Sequence, residues 1–441
     1  MNRIELPTES DRLIRPAGTA SREPARIRVL TFSSLFPSEA RVRHGIFVET
    51  RLVHLVRDCP VDARVIAPVP WFPFDAPAFG AYAAFAATPR HAVRAQAIQV
   101  AYPRYLMLPR LGVPWQPRAM ALAAVSDIER WCREGWRPDL IDAHYLYPDG
   151  VAAAMLAERL DVPFLLTARG TDVNVLARLP GPGRRIRWAA ARAAAVITVS
   201  TRLRDALVDA GVDPARIVVL RNGVDLSVFH PEDATQSRQR LQLPQGPLAA
   251  CVGNLVPEKG FALAIEMLVH SADLRLVIVG DGPLRNELAA LAKRTGVADR
   301  VKFLPAMQQA QLRRVYSAAD VLLITSTREG WPNVVLESLA CGTPVAALDV
   351  GAVGDMLTDP AIGRIVAERD ALLLSRAVLD LVKTGADRLD QRRRACEHAA
   401  AFDWASISRA QYELMTRAVV SAGPRRVGEL DRAVATDAAK R

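Results

Sequence analysis

Short apolar runs alternate with longer segments of helical spacing along most of the 441-residue chain. In the first half the runs are RIRVLTFSS, VDARVIAPV, DLIDAHY, PFLLTARG, AVITVS and RIVVLRNG. In the second they are LAACVGNL, LRLVIVGDG, RVKFLPA, DVLLITST and PVAALDV. These runs are continuously apolar rather than alternating, which predicts strands covered on both faces. Segments such as GFALAIEMLVHSA and PLRNELAALAKRTG lie between them and carry apolar residues at helical intervals. That order predicts an α/β architecture of right-handed βαβ units, with parallel sheets layered by helices.

The pattern lapses once, in NGVDLSVFHPEDATQSRQRLQLPQ, residues 222–245. The lapse predicts a linker between two doubly wound domains, residues 27–221 and 246–400, and the chain is too long for one ordinary core. Ligands of such sheets bind beyond the carboxyl ends of the strands, so two facing sheets would enclose a cleft. A last helical pattern, residues 401–420, could return toward the first domain. Residues 1–26 read as a polar, disordered extension and 421–441 as a frayed, charged tail.

Composition narrows the class. No run of eighteen uncharged apolar residues occurs, so no bilayer-spanning helix is predicted. The N-terminal stretch lacks the apolar centre of a secretory signal. Cys59, Cys132, Cys251, Cys341 and Cys396 are scattered, odd in number and suit neither zinc nor a disulfide framework, which fits a cytoplasmic protein. The net charge of +10 is uneven: residues 1–230 carry 30 basic and 22 acidic side chains, the remainder 27 and 25. The basic half suits an anionic partner, or simply reflects an arginine-rich composition. Nucleic acid is not the expected partner, because no basic–aromatic recognition motif accompanies the charge.

The most informative stretch is STREGWPNVVLESLACGTPVAA, residues 326–347. DVLLITS reads as a strand, STREG as the loop at its carboxyl end and WPNVVLESLACG as a helix. Pro332 suits the first helical position and Gly342 the helix stop. The free N–H groups around Asn333 would then face the cleft, ready for a phosphate or a sugar hydroxyl. Glu329 and Glu337 are too far apart to be a close carboxylate pair. They either address two parts of one extended ligand or are a charged loop residue and a solvated helix residue.

This E-x7-E string in its strand–loop–helix setting resembles the donor-site signature of retaining glycosyltransferases of the large family four, which have the GT-B fold. NGVDLSVFHP, CVGNLVPEKG, LVIVGDGPL and YSAADVLLITS agree in order, and GIFVE, DAHYLYPDG and TARGTDVN do so in the first half. The first-half pieces look like the branch of teichuronic-acid and exopolysaccharide glycosyltransferases. The resemblance spans roughly Arg26 to Tyr412.

The resemblance implies a role for each matching residue. Lys259 would hold the donor diphosphate, and with five lysines against 52 arginines a lysine here favours a site needing a compact charge. Glu337 would accept from the ribose hydroxyls and Glu329 would lie near the sugar, with Asn333 and Val334 between them. Gly282, beside Asp281, would form a tight turn against the nucleotide or serve packing alone. Gly45 would let the backbone of the other domain approach the diphosphate. Arg169 stands where relatives often have His, a position that faces the anomeric carbon with a main-chain oxygen and a side chain; a main-chain role would survive the change to Arg and a side-chain role would not. Asp172 would orient the acceptor. His144 is either an acceptor-site residue or a packing residue.

Two departures stand out. Asn254 replaces an arginine that serves relatives as a second phosphate clamp, so either the contact is weaker or another arginine reaches in, Arg169 being one candidate by position. VGAVGDML, residues 350–357, departs from the usual Gly-Gly…Pro-Glu turn, with Ala352, Gly354 and Asp355 in its place.

No Asp-x-Asp metal motif is found, so neither metal nor separate cofactor is expected; the nucleotide diphosphate sugar, UDP- or GDP-linked, is a co-substrate. The implied reaction is front-face displacement with retention onto a glycan or lipid-linked acceptor of the cell envelope. WFPFDAPAFGAYAAFAA, residues 71–87, either covers the acceptor cleft, dips into a membrane interface or is a packed loop, and RLPGPGRRIRWAAARAA, residues 178–194, either meets anionic lipid at the inner membrane face or is a solvated helix. The competing functions are an epimerase or hydrolase on the same fold and a non-catalytic sugar-nucleotide-binding subunit.

Overall fold

The computed structural model describes residues 26–423 except 43, 77, 79 and 108–112. The expected N-terminal extension, apart from Arg26, and the tail beyond Gly423 lie outside the described residues. The strands of the first half are β1 Ile27–Phe32, β2 Val61–Ile66, β3 Val69–Pro70, β4 His91–Val93, β5 Gln99–Ala101, β6 Arg104–Tyr105, β7 Leu140–His144, β8 Phe164–Thr167, β9 Ala195–Thr198 and β10 Ile217–Val219. Those of the second are β11 Leu248–Val252, β12 Arg275–Val279, β13 Val301–Leu304, β14 Val321–Ile324, β15 Val345–Leu348 and β16 Gly363–Val366.

One sheet runs β10-β9-β8-β7-β1-β2-β5-β4 and another β13-β12-β11-β14-β15-β16, with β3 and β6 paired apart. All pairings are parallel except β4 with β5. Each of the apolar runs named above contains a strand. The continuous apolarity has a direct cause: alternate residues feed different cores. In β14, Leu322 joins the cluster on one face and Leu323 the cluster on the other. Each such buried side chain contributes about 1.5–3 kcal/mol. The strands without an apolar run, β3 to β6 and β16, are short, and β4 and β16 are sheet edges; both residues flanking Ala92 in β4 are exposed, so no apolar run marks it.

The segment 222–245 is fastened rather than loose. It contains the helix Ala234–Arg240, capped by Asp233, whose carboxylate accepts from the Gln236 N–H at 2.7 Å. Arg238 is buried and donates to Asp320 at 2.9 Å and to the carbonyls of Ala318 and Gly246, both at 2.8 Å. The polar composition that marks a linker here builds a helix cap and a buried ion pair.

The helix Trp404–Ser421 packs on the first sheet's side of the molecule. Met415 and Ala418 join the cluster of Val29, Leu55 and Val65. Trp404 stacks on His54 with ring centroids 5.0 Å apart. The two halves also meet directly: the Thr201 N–H donates to Asp355 at 2.7 Å, and Arg202 pairs with Asp349 at 3.0 Å.

Candidate active site

The second half supplies two loops at the carboxyl ends of β11 and β14. The β11 loop lies flat on the end of β12, because Gly280 and Gly282 leave room for it. A Cβ on Gly280 would sit 1.9 Å from the Gly253 carbonyl oxygen, and one on Gly282 would sit 2.5 Å from that of Leu255. Gly282 therefore braces this loop. The loop ends at Lys259, where Thr325 Oγ1 donates to the Lys259 carbonyl at 2.9 Å and the Thr327 N–H to Glu258 at 2.8 Å. Arg369 adds a bond to the Thr325 carbonyl at 2.9 Å.

Zipped together, the loops bring Lys259 Nζ to 2.6 Å from Glu329 Oε1, which also accepts from Ser326 Oγ at 2.6 Å. The sequence separates these residues into a phosphate end and a sugar end; the fold joins them in one ion pair. Lys259 keeps 29 % of its side chain exposed. Such a partly solvated pair is held by only about 0–1 kcal/mol, so the ammonium is not committed to this partner.

The helix after this loop spans Asn333–Ala340. Pro332, expected as its first residue, is instead its N-cap, because its ψ of 92° is extended. Asn333 Oδ1 is buried at the helix mouth without a hydrogen-bond partner among the described residues. Val334 is half-buried against the core. Glu337 accepts from the Tyr316 hydroxyl at 2.8 Å, and burial pushes its carboxyl up to about 7 although it keeps some solvent access. At neutral pH it therefore titrates in the range where hydroxyl partners can exchange with a proton. Asn254 is exposed on the rim of the β11 loop, bonded through its carbonyl to the Val256 N–H at 2.9 Å.

The first half is built differently. Asp172 is fully buried and accepts from the main-chain N–H groups of Leu146, Arg169, Gly170 and Val173 at 2.7–3.2 Å. Burial still raises its pKa. In place of the expected acceptor contact, Asp172 ties the loop after β8 to the loop after β7. His144 is also buried. Its Nδ1 accepts from Arg169 Nη2 at 2.6 Å, which leaves the Nε2 proton for Asp142 at 3.3 Å. Burial drives the His144 pKa down to about 4, so the ring is neutral.

The Arg169 guanidinium continues inward, lying over the Phe47 ring at 5.1 Å and donating to Asn222 Oδ1 at 3.4 Å. Asn222 also accepts from Arg51 at 3.1 Å, and Arg51 bonds Gln411 at 2.6 Å, which donates to Asp142 at 2.9 Å. The two guanidinium groups thus reach one buried carboxylate, Asp142, only through Gln411 and His144, and burial lowers Arg51 to about 10 and Arg169 to about 9. The expectation that Arg169 replaces the missing clamp is corrected: its side chain is committed to this network. Its main chain does face the second half. A Cβ on Gly330 would be 2.7 Å from the Arg169 carbonyl oxygen, and one on Gly170 would be 3.6 Å from Gly330 Cα.

Gly45, with φ of 68°, starts the helix Ile46–Asp58, and a Cβ there would overlap the Leu35 carbonyl group. It places Phe47 under Arg169 and so borders the same region. A cavity of about 240 Å³ lies between the halves, lined by Arg169, Gly170, Thr171, Asn174, Glu258, Arg328, Glu329 and Gly330. A second, of about 170 Å³, adjoins it through Arg328 and Glu329 and reaches Arg202 and Asp349.

Several contributors escaped the sequence reading. Arg328 is exposed, lines both cavities and has no ion pair among the described residues. Gly351 presses on the Glu329 carbonyl, where a Cβ would come within 2.2 Å. Tyr316 and Ser326 hold the two glutamates. The one available signal was position: Arg328 and Ser326 lie within three residues of Glu329.

Two parallel sheets closing on a cleft with this Lys–Glu rim define the GT-B class of glycosyltransferase. A model of the family described as Glycosyltransferase Family 4 matches residues 64–228, and one described as Glycosyl transferases group 1 matches residues 233–400. The teichuronic acid biosynthesis glycosyltransferase TuaC of Bacillus subtilis is 34% identical over 342 residues, 75% of this chain and 83% of that protein. A D-inositol 3-phosphate glycosyltransferase of Acidothermus cellulolyticus is 35% identical over 306 residues, 64% of this chain and 67% of the relative. Among solved structures, sucrose-phosphate synthase from Thermosynechococcus elongatus superposes with a TM-score of 0.71 at 19% identity, covering 90% of this chain and all of that one. Anabaena HepE, solved with UDP, gives 0.68 at 20%, covering 89% of this chain and all of that one. The chain belongs to glycosyltransferase family 4.

Proposed function

We propose that this glycosyltransferase moves a sugar from a UDP- or GDP-linked donor to a glycan or lipid-linked acceptor, with retention, during cell-surface polysaccharide assembly in the cytoplasm. The observation that carries this reading is the Lys259–Glu329 contact on the rim of a cleft whose far wall is the Arg169 carbonyl. A diphosphate would draw Lys259 from Glu329 and meet Arg328, which stands in for the arginine missing at Asn254. Glu337 would take the ribose hydroxyls, and Asn333 with Val334 would border the helix mouth between them. HepE was solved with UDP-glucose, and the name of TuaC refers to teichuronic acid; both support the donor and the polysaccharide setting.

The chemistry follows from what each half offers. Asp142, Asp149 and Asp172 of the first half are buried and hydrogen-bonded within it, so none stands ready as a nucleophile. In the front-face reading the bond from the anomeric carbon to phosphate breaks while the acceptor oxygen bonds on the same face. The acceptor proton passes to the departing phosphate oxygen, whose charge Lys259 and Arg328 offset. The Arg169 carbonyl oxygen would steady the positive sugar. The test is calorimetric titration with nucleoside diphosphates and their sugars, then NMR of the anomeric proton in the product. Inverted product would overturn retention, sugar released to water without an acceptor would favour a hydrolase, and nucleotide binding without turnover would favour a non-catalytic subunit.

A further inference from the structure

The net charge has a sharply local source. Residues 76–126 and 173–204 contain twelve arginines and no acidic residue, whereas the rest of the chain carries 45 basic and 47 acidic side chains. The fold brings parts of both stretches to one face, beside the carboxyl ends of the first sheet's strands. Arg185 of the second stretch donates to the Pro114 carbonyl of the first, and the Tyr147 hydroxyl donates to Val113. Gln116 bonds the Tyr105 hydroxyl at 3.0 Å, and the Tyr105 carbonyl accepts from the Trp71 N–H at 2.7 Å.

Large apolar side chains stand out from this same face. Trp115 is 67 % exposed, Leu106 65 % and Trp71 51 %, with Leu179 beside Arg178. Arg118, Arg178 and Arg184 are exposed among them and have no ion pair among the described residues. Isolated apolar side chains on a surface are ordinary, but tryptophans and leucines set among unpaired arginines match an interface with a headgroup layer. A nucleic acid would use the charge and leave the leucines in water. We infer that this face docks on a bilayer containing anionic lipid. Because it adjoins the loops after β7 and β8 that border the cleft, docking would bring a lipid-linked acceptor to the site; only that consequence rests on the function proposed above.

The test is co-sedimentation of the full chain with vesicles of phosphatidylcholine alone and of phosphatidylcholine with phosphatidylglycerol, at low and high salt. Binding to the anionic vesicles only, lost at high salt, is expected. The double variant Arg178→Gln, Arg184→Gln should weaken partitioning about 30-fold, at roughly fivefold per arginine. Trp115→Ser should weaken it and remove a blue shift of tryptophan emission. Both variants should keep the unfolding temperature and nucleoside diphosphate affinity of the parent. Equal binding to neutral vesicles, no binding at all, or a preference for DNA over anionic vesicles would each overturn the inference. Nucleotide titration on the same samples reads the proposed function separately.

Discussion

The two halves place their candidate residues in opposite ways. In the second half Glu329 lines the cleft, and Lys259, Asn333 and Glu337 likewise keep their side chains partly open to solvent. In the first half His144 and Asp172 are sealed and the Arg169 side chain turns inward, so of the predicted residues there only the Arg169 main chain faces the cleft, beside Thr171 and Asn174. The lesson is that a motif match says a residue is needed without saying whether its side chain touches the ligand. The physical difference lies in satisfaction: Asp172 has four N–H donors already, whereas Asn333 Oδ1 has none.

The largest test of this contrast removes the rim charges. Lys259→Ala and Glu329→Ala should each lower kcat/KM for transfer by about 10²–10³-fold, the scale of a lost charge-stabilising contact, with the fold intact by circular dichroism. Unchanged turnover in either would remove the assigned roles. Asp172→Ala should do the reverse and act on stability. Leaving the N–H groups of Leu146, Arg169 and Gly170 without an acceptor, while Val173 keeps the Gly170 carbonyl, should cost about 3 kcal/mol or more in denaturant unfolding. A loss of activity with full stability would instead make Asp172 a contact residue.

Gly330→Ala probes the meeting of the halves. Its new methyl would press on the Arg169 carbonyl oxygen, and about a tenfold fall in kcat/KM is expected with little change in unfolding temperature. Glu337 offers a pH test. Its folded pKa of about 7 lies above its ordinary value of 4.5, so its stabilising effect is present below 4.5 and is lost as pH rises to about 7. Ribose hydroxyls donate to the ionised form, so nucleoside diphosphate affinity should grow from about pH 6 to about pH 8. Glu337→Gln should flatten both dependences; an unaltered profile would show that another group titrates. The smallest effect belongs to the exposed bridge between halves: Arg202→Ala should cost less than about 1 kcal/mol.

Much of this architecture was legible beforehand. The parallel strands announced themselves because both faces are covered, so apolar residues run without alternation. The edge strand β4 did not, since two of its three residues face water. The E-x7-E helix was legible because loop, cap and stop residues fall in order, although its start moved from Pro332 to Asn333. The contacts around Arg169 were not legible. Arg51, Asn222 and Gln411 lie up to 360 positions apart, and no local pattern records their meeting.

By itself, then, the order of residues determined the strands covered on both faces, the helix of the E-x7-E stretch to within one residue of its start and the residue types available for chemistry, because local sterics and burial period are written in neighbouring positions. Only the folded chain decided that Lys259 pairs with Glu329, that Arg169 turns its carbonyl toward the second half and its guanidinium inward, and that Arg328 lines the cavity between the halves. Those outcomes depend on which donors and acceptors meet across loops distant in sequence, and on glycines at 260, 330 and 351 that let backbones approach closer than any side chain would permit.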